Sequence, residues 1–492
     1  MSRIRSNKDN ICLYCLHETG GTIPCPSCHC ENPFDYENPK RDRGALKPST
    51  ILNEGSSPVL IGRCLGVGGF CTTYLGLEGL LGQIIAVKEF FPRMLAIRAS
   101  DKSNIITHQN QDDIYKYGLE KFVDEAKMLR RFQTSPNLVT IYRVFQENNT
   151  AYFTMAYHPG MTLEEYVKQK SSQGGITEKE LLYLMREVLN GLKALHNENI
   201  FLREIKPSKI YLPHKDKPFL LYFGNARLAI RDSSSFYEEF LIPSYAPKEQ
   251  YEKTERQGAY TDIYACAATM YACMRGRFKK NILLPPPDSL DICLGQAKLE
   301  HLEKVSRQPV SREFNHAVHF ALQCEHHNRP QSVAEWLSYL PFPPSYELLG
   351  IAGEYEGATI TLNEEPIMLG KNPAKCNLVI QNHSLSRVSG VHCQVYVKND
   401  RIYLEDFSLH GTTVNEHNEV VKQRKTELKP NDTLNLVGEA VFQIIQNEQK
   451  PLQPEPPHSI TTTPTSFWQR FAAWFIEKKN RHDMIVNKEF KP

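Results

Sequence analysis

The sequence lacks any unbroken apolar run of the roughly 18 residues that a membrane-spanning helix requires. Its opening stretch, MSRIRSNKDN, has no apolar segment of the signal-peptide type, so we expect a cytoplasmic protein. The formal net charge of +2 over 492 residues provides little attraction for nucleic acid, and we expect no nucleic-acid partner. Because disulfides are rare in a reducing cytoplasm, the 13 cysteines are predicted to be metal ligands or buried thiols.

The distribution of apolar residues predicts a multidomain protein. Residues 58–340 alternate strand-like and helix-like patterns, which indicates one large α+β unit, and residues 346–446 contain the short alternating runs typical of an all-β sandwich. Stretches rich in Pro, Asn, Lys or Thr predict linkers. The predicted parts are a cysteine-rich segment at 11–30, a linker at 31–57, the α+β unit at 58–340, the sandwich at 346–446, a linker at 447–465 and an amphipathic helix at 466–480.

The predicted helix at 466–480 places aromatic residues, among them Phe471 and Trp474, on one broad face. Such a face suits contact with a membrane surface, docking to a protein partner, or packing against the chain itself. The sequence leaves these three interpretations open.

Four cysteines form two Cys-x-x-Cys pairs, Cys12 with Cys15 and Cys25 with Cys28. Two such turns supply four thiolates in the tetrahedral arrangement that zinc prefers, and in so small a segment the metal would provide most of the stability. The pattern resembles the short zinc ribbons of bacterial proteins, which implies a structural Zn²⁺ and a role in docking to proteins. The alternatives are four unrelated buried thiols, or a ligand set that includes a neighbouring side chain. Those neighbours are His17, His29 and Cys30.

A second group of motifs follows in a fixed order within residues 58–340. A glycine-rich turn contains Gly66, Gly68 and Gly69, and such turns bring backbone N–H groups close to phosphates. The stretch IAVKE then carries Lys88, and FVDEA carries Glu125. With the loop LREIKPSKIY further along, these motifs resemble a bacterial Ser/Thr protein kinase of the Hanks type. The resemblance implies a bilobal protein-kinase-like fold, an ATP-binding site and a role in signal transduction.

The resemblance assigns roles to individual residues of the nucleotide site. Lys88 would pair with Glu125 and contact the nucleotide phosphates. Met155 and Tyr157 would border the adenine ring at the hinge between the two lobes.

Other implied roles are architectural. An activation segment would extend from Tyr222 to Glu249. Asp262 would brace the catalytic loop, and Glu249 would form an ion pair with Arg329. A chain can keep these residues for folding without catalysing a reaction.

The catalytic loop departs from the kinase pattern at the residues that perform the chemistry. Active kinases use an Asp to orient the substrate hydroxyl, and an Asn and a second Asp to hold Mg²⁺. Here those positions are Glu204, Lys209 and Tyr222, although Lys206 matches the lysine of the same loop. A longer carboxylate keeps some capacity as a base, whereas an ammonium group and a phenol are poor ligands for Mg²⁺. The sequence therefore predicts a pseudokinase.

Nucleotide binding is a separate expectation. Lys88, the glycine-rich turn and Lys209 can hold phosphates without a metal, with Lys209 as an internal counter-ion. We therefore hypothesise weak, Mg²⁺-independent ATP binding. The alternative is an active kinase with rearranged metal ligands, in which Glu204 and Asp216 supply carboxylates.

Residues 346–446 resemble a forkhead-associated (FHA) domain, through the stretches LGK, VSGVH, DFSLHGTTVN and LKPND. The resemblance implies binding to phosphothreonine-containing proteins. Lys371 replaces an arginine of the family's phosphate site and His410 replaces an asparagine, while Ser389 is retained and Arg387 is a candidate replacement cation. The alternative is an interaction module that does not require phosphate.

These expectations combine into a cytoplasmic bacterial signalling scaffold whose domains are joined by flexible linkers. Such a scaffold would bind nucleotide in one domain and phosphorylated protein partners in another. An active Ser/Thr kinase is the alternative function, and the sequence does not specify an oligomeric state.

Overall fold

The computed structural model contains two compact units, one ending at Leu340 and the other beginning at Pro341. Several sequence predictions lie outside the residues that it describes, namely Asp216, Tyr222, most of the segment between Tyr222 and Glu249, and the helix at 466–480. The described residues are 10–31, 44–52, 57–79, 82–101, 103–133, 135, 137–214, 217–221, 244–251, 257–342, 345–362, 365–380, 387–398, 401–415 and 419–447.

The upper lobe of the first unit is built on one twisted antiparallel sheet. Its elements are β1 (Ile51–Leu52), β2 (Val59–Val67), β3 (Cys71–Glu78), β4 (Ile84–Phe90), β5 (Ala96–Arg98), β6 (Ile105–Thr107), α1 (Asp112–Leu129), β7 (Ile141–Glu147) and β8 (Thr150–Ala156). Six of the strands form the sheet in the order β1-β2-β3-β4-β8-β7, and β5 pairs with β6. Contacts of α1 with β7 and β8 place this helix against one face of the sheet.

Residues 44–52 belong to this lobe, so the predicted linker at 31–57 is wrong for these residues. Leu52 in β1 pairs with Val59 in β2, and both side chains are fully buried. Leu46 is buried in the same core, and its N–H donates to the Tyr74 hydroxyl at 3.0 Å. The segment is polar in composition, but its few apolar residues suffice to add an edge strand to the sheet.

A buried ion pair joins β4 to the β5–β6 ribbon. Glu89 is fully buried, and Nη2 of Arg98 lies 2.6 Å from its Oε2. The hydroxyls of Tyr74 and Tyr152 donate to the same carboxylate at 2.7 and 2.9 Å. These hydrogen bonds offset the cost of taking both charges out of water.

The lower lobe is mainly helical. In chain order its elements are β9 (Gly160–Thr162), α2 (Leu163–Ser171), α3 (Glu178–Asn197), β10 (Ile210–Pro213), β11 (Phe219–Leu220), α4 (Ala259–Arg275), β12 (Phe278–Lys279), β13 (Ile282–Leu283), α5 (Ser289–Cys293), α6 (Leu302–Val305), α7 (Arg312–Ala321) and α8 (Val333–Tyr339). Helix α4 is buried on all sides, and it ends at Gly276 in the left-handed conformation with φ of 52°. Within the described residues, no helix has the length and apolar character needed to cross a membrane.

One buried ion pair and one disulfide stabilise the base of the lower lobe. Glu249 and Arg329 form the ion pair implied by the kinase resemblance, with Nη1 and Oε1 2.7 Å apart and both side chains buried. Arg329 also donates to the carbonyl of Cys324 at 2.8 Å. Cys324 forms a disulfide with Cys293, 31 residues earlier, so the expectation of no disulfides is wrong. That expectation considered only the redox compartment, whereas the fold places α5 beside the turn that follows α7.

The second unit is all-β, as predicted from the sequence. Its strands are β14 (Ser345–Ala352), β15 (Thr359–Leu362), β16 (Ile367–Gly370), β17 (Leu378–Val379), β18 (Cys393–Lys398), β19 (Arg401–Asp406), β20 (Thr412–Val414), β21 (Glu419–Val421), β22 (Lys425–Leu428), β23 (Thr433–Leu436) and β24 (Ala440–Asn447). One sheet has the order β15-β14-β24-β23-β20-β21 and the other β17-β16-β18-β19-β22. Residues from both sheets, such as Leu348, Val395, Leu404 and Phe442, form one buried core.

Candidate functional site

A cavity of about 870 Å³ lies between the two lobes of the first unit. It brings together most of the residues predicted for a nucleotide site, from the glycine-rich turn, β4, the end of β8 and the catalytic loop. The predicted residues that line it are Gly66, Gly68, Gly69, Lys88, Met155, Tyr157, Glu204, Lys206 and Lys209. A cavity of this size falls within the range of small-molecule and cofactor sites.

Lys88 lies on β4 and is the most strongly perturbed cation of the cavity. Burial lowers its pKa, Lys209 lowers it further, and Cys71, Glu125 and Glu204 act in the opposite direction, with a net pKa of about 8. Glu125 projects from α1 and is buried, and its charge acts on Lys88 in the sense expected of the implied pair. At neutral pH most of the Lys88 side chains therefore carry a positive charge inside the cavity.

The catalytic loop is held from below by a buried carboxylate. Asp262 near the start of α4 accepts hydrogen bonds from the backbone N–H groups of Leu202 at 2.8 Å and Arg203 at 2.6 Å. Its Oδ2 also lies 2.9 Å from Nε2 of His196. Arg203 adopts the left-handed conformation with φ of 59°, which these bonds stabilise. The loop thus keeps the bracing implied by the kinase resemblance.

Two lysines flank the carboxylate that replaces the catalytic Asp. Nζ of Lys206 and Nζ of Lys209 each lie 3.8 Å from Oε1 of Glu204. Lys209 closes a short 3-10 turn, Pro207–Lys209, which directs it towards the same cavity. The Glu204 carboxylate is therefore balanced by two protein ammonium groups, of which Lys206 matches the kinase pattern and Lys209 does not.

The described lining of the cavity is positive. Its cations are Arg63, Lys88, Lys206 and Lys209, and its carboxylates are Glu165 and Glu204. Glu165 already accepts the Thr162 N–H at 2.7 Å in the capping box of α2. Four cations against two carboxylates favour an anionic ligand.

Arg63 is a cavity residue that the sequence analysis did not identify. It lies on β2 two residues before Leu65, and both line the cavity. Residues two apart on a strand face the same side of a sheet, so the spacing between Arg63 and Leu65 was a signal that both could line the cavity. A register shift at Cys64 interrupts strict alternation and weakens this signal. Arg63 also contacts the cysteine-rich segment, through the carbonyl of Tyr14.

The four predicted cysteine ligands converge. The sulfur atoms of Cys12, Cys15, Cys25 and Cys28 all lie within 4.8 Å of one another, with 3.6 Å between Cys12 and Cys28 and 3.7 Å between Cys15 and Cys25. Tetrahedral zinc with bonds of about 2.3 Å requires separations of about 3.8 Å, so the geometry fits this ion. The alternative ligands His17, His29 and Cys30 are outside the group.

The charge state of one ligand also suits a metal. Burial raises the pKa of Cys25, but the backbone N–H groups of Cys28 and Ser27 outweigh that effect and bring it to about 7. Burial raises the pKa of Cys15 and of Cys28, so these thiols keep their protons until a metal displaces them.

The cysteine-rich segment packs against the upper lobe. Leu16 is buried against Leu60, Leu75 and Leu77 of strands β2 and β3. The expectation of a separate module on a flexible linker is therefore wrong for this segment, since its apolar face is covered by its own chain. No local sequence pattern indicates this contact, because it joins residues that are distant along the chain.

In the second unit, the backbone brings three of the predicted phosphate-site residues together. The N–H of Lys371 donates to the carbonyl of Ser389 at 3.1 Å. The N–H of Leu409 donates to Oγ of Ser389 at 3.2 Å, which places the exposed His410 beside it. Arg387 is exposed two residues before Ser389, where its own N–H donates to Glu439 at 2.7 Å.

A buried histidine supports this loop region. Nδ1 of His392 accepts the N–H of Ser389 at 3.1 Å, so its Nε2 carries the proton and faces the carbonyl of Gly411 at 3.3 Å. Burial lowers the pKa of His392, which keeps the ring neutral at physiological pH. Asp406 accepts from the N–H and hydroxyl of Ser408 at 3.0 and 3.1 Å, fixing the loop that carries His410.

Comparison with known proteins identifies both units. The family model of the protein kinase domain matches residues 60–332, and that of the FHA domain matches residues 367–437. The chain belongs to the protein kinase domain family. It combines this domain with an FHA domain, and a kinase domain implies a site for ATP.

Individual relatives are serine/threonine protein kinases of bacteria and eukaryotes. The chain is 28% identical to PrkC of Bacillus subtilis over 44% of its length and 30% of that protein. It is 27% identical to PknA of Nostoc, over 46% of this chain and 38% of that protein. It is 26% identical to GIN4 of Saccharomyces cerevisiae, over 47% of this chain and 19% of that protein. The match thus spans about a fifth to two fifths of these relatives.

A solved structure titled the apo form of PpkA-294 is similar as well. It shares 29% sequence identity and a TM-score of 0.52, covering 60% of this chain and 99% of that one. This coverage supports the kinase fold of the first unit.

Proposed function

We propose that the protein is a signalling scaffold with a kinase fold that binds nucleotide but is impaired in phosphoryl transfer. The observation that carries this proposal is the placement of Lys209, which lines the cavity with its Nζ 3.8 Å from Oε1 of Glu204. Phosphoryl transfer depends on metal ions that bridge the phosphates and neutralise developing charge. Here an ammonium group occupies the sequence position from which active kinases bind the metal.

The energetic penalty for a metal at this site is large. At a separation of about 4 Å and an effective dielectric constant near 20, a single charge repels a dication by about 8 kcal/mol. The flexible Lys209 side chain can move away, which lowers the penalty to about half. A penalty of about 4 kcal/mol still corresponds to about three orders of magnitude in affinity or rate.

The same charges favour a metal-free nucleotide. Lys88, Lys209 and Lys206 line the cavity with ammonium groups that can contact phosphate oxygens, and the glycine-rich turn adds backbone N–H donors. Lys209 would then act as the counter-ion that Mg²⁺ provides in active kinases. We therefore propose weak ATP binding that does not require Mg²⁺.

The alternative is an active Ser/Thr kinase with atypical metal ligation. It is favoured by the retention of a carboxylate, Glu204, on a catalytic loop that Asp262 braces from below. A base in the correct place keeps part of the machinery even when the metal ligands differ.

A transfer assay with a binding control separates the two candidates. Purified full-length protein is incubated with γ-labelled ATP and protein substrates in Mg²⁺ and in Mn²⁺, and ATP binding is measured by titration both with Mg²⁺ present and with Mg²⁺ omitted. Mg²⁺ is omitted rather than chelated, because a chelator would also attack the cysteine site. The scaffold proposal expects binding without transfer. Transfer that disappears in Lys88→Met would support the kinase instead, and the absence of binding under both conditions would remove the nucleotide site.

We further propose that the FHA domain binds phosphothreonine-containing proteins. Support comes from the FHA match and from the adjacent Lys371 and Ser389, an ammonium group and a hydroxyl that suit a phosphate. The full-length chain is titrated with a phosphothreonine peptide and its unphosphorylated form. Equal affinity for the two peptides would reject the phosphate and leave a phosphate-independent interaction module.

The cysteine site would hold one structural Zn²⁺, since four sulfurs complete its tetrahedral coordination and leave no position for substrate. Metal analysis of protein prepared without chelators should find about one zinc per chain, and Cys12→Ser should abolish it.

We also propose a cytoplasmic location, which fractionation of cells that express the protein would test.

A further inference from the structure

The cysteine site and the nucleotide cavity share one side chain. Tyr14 lies between the ligands Cys12 and Cys15, and its carbonyl accepts a hydrogen bond from Nη1 of Arg63 at 3.0 Å. The Arg63 guanidinium also stacks on the Tyr14 ring, with 4.3 Å between its carbon and the ring centroid. Since Arg63 lines the cavity, the turn that holds the metal ligands also holds a cation of the nucleotide site.

Close apolar packing surrounds this polar contact. Gly62, the neighbour of Arg63, has no side chain, and a Cβ at this position would lie 3.0 Å from both the Leu13 carbonyl and Cγ of Leu16. Leu65 and Tyr157 pack at the edge of the cluster that contains Leu16, and both also line the cavity. One wall of the cavity is therefore also the surface on which the cysteine-rich segment rests.

The conformation of this segment depends on its cysteines. Leu16 adopts φ of 62°, a conformation that is costly for a branched side chain, and its N–H donates to the carbonyl of Cys12 at 2.7 Å. In the described residues 10–31, the buried side chains are Leu16 and cysteines, which is too small a core to fold unaided. Without the metal, Tyr14 and Leu16 would lose the turn that places them against β2.

We propose that the four-cysteine centre positions Arg63 and strand β2, so that metal occupancy and nucleotide affinity are linked. Arg63 is a positioning and binding residue at the mouth of the cavity, and the metal acts on the nucleotide through it. The affinity part of this inference rests on the nucleotide binding proposed above. Because linkage is reciprocal, bound nucleotide would also raise the affinity for the metal by the same factor.

The test compares affinity for fluorescent ATP, without Mg²⁺, before and after zinc is removed from the full-length protein. Coupled sites usually differ by about 5- to 150-fold, and we expect the metal-free protein to bind at least about fivefold more weakly. In Arg63→Ala, affinity should already be reduced, and zinc removal should then have little further effect. Cys15→Ser should reproduce the metal-free protein, whereas Cys30→Ser, which alters a buried thiol outside the ligand group, should not.

Hydrogen exchange provides a second readout that does not need nucleotide. Amides of residues 60–65 on β2 should exchange at least about tenfold faster after zinc removal, while those of α4 in the lower lobe should not change. Unchanged exchange on β2 after zinc removal would overturn the inference. It would also be overturned if zinc removal lowered ATP affinity equally in the wild type and in Arg63→Ala. If the zinc-loaded protein bound no ATP, the proposed nucleotide function would fail, and exchange on β2 alone would decide whether the metal positions this strand.

Discussion

The replacement of Lys209 by asparagine should make nucleotide binding depend on Mg²⁺. In the wild type, the Lys209 ammonium lies 3.8 Å from the Glu204 carboxylate and faces the cavity. Lys209→Asn removes this charge and provides an amide oxygen, which is a ligand that Mg²⁺ accepts. The variant therefore loses a counter-ion for the phosphates and gains part of a metal site.

Two opposing magnitudes decide the outcome. A charge-assisted hydrogen bond between Lys209 and a phosphate is worth about 1.5–3 kcal/mol, so metal-free binding should weaken by about 10- to 100-fold. Removal of the ammonium also relieves a repulsion of about 4–8 kcal/mol between Lys209 and a metal. Relief of this size is enough for Mg²⁺ to restore the lost affinity, even with a single new oxygen ligand.

Titrations of ATP in the presence and absence of Mg²⁺ measure both effects. Lys209→Met is the matched control, because it removes the same charge without adding an oxygen. Because both variants relieve the repulsion but only asparagine adds a ligand, we expect Mg²⁺ to strengthen binding at least about tenfold in Lys209→Asn, to a smaller extent in Lys209→Met, and not in the wild type. A wild-type affinity that already rises tenfold with Mg²⁺ would refute the argument that Lys209 excludes the metal.

Three further predictions concern other parts of the chain. Metal-free ATP binding should weaken by about tenfold between pH 7 and 9, because Lys88 binds phosphate in its charged form and has a pKa of about 8, and Lys88→Arg should flatten this profile. Arg329→Ala should lower the free energy of unfolding of the first unit by about 3–5 kcal/mol in chemical denaturation, since Glu249 is left charged and buried. Ser389→Ala should weaken binding of a phosphothreonine peptide by about tenfold without affecting the unphosphorylated peptide, as measured by titration.

Local patterns in the sequence were enough to predict most of the fold. The order of the glycine-rich turn, Lys88 and Glu125 gave the resemblance to a protein kinase over 58–340, and the kinase family model matches residues 60–332. The ordered FHA motifs predicted a sandwich over 346–446, which agrees closely with the strands from Ser345 to Asn447. These features depend on residues that are close along the chain, so they can be predicted from the sequence alone.

The features that the sequence did not reveal all join residues that are distant along the chain. The Cys293–Cys324 disulfide, the burial of Leu46 in the upper lobe and the contact of Arg63 with Tyr14 each depend on the finished fold. Composition suggested the opposite in two of these cases. It indicated thiols where Cys293 and Cys324 form a disulfide, and a linker where Leu46 is buried. A few well-placed apolar or sulfur atoms outweighed the average character of their segments.

Both candidate sites carry a lysine where the family pattern has a residue that aligns a metal or a phosphate. Lys209 replaces a metal-binding amide and Lys371 replaces the guanidinium fork that aligns a phosphate through two parallel hydrogen bonds. An ammonium group on a flexible stem attracts phosphate about as well, but it does not fix the orientation of the phosphate. Catalysis requires that orientation to be held, because phosphoryl transfer is mainly positioning and charge stabilisation, whereas binding requires only net attraction. These positive charges are the basis for our proposal of a protein that responds to phosphate-bearing ligands and does not transfer their phosphates.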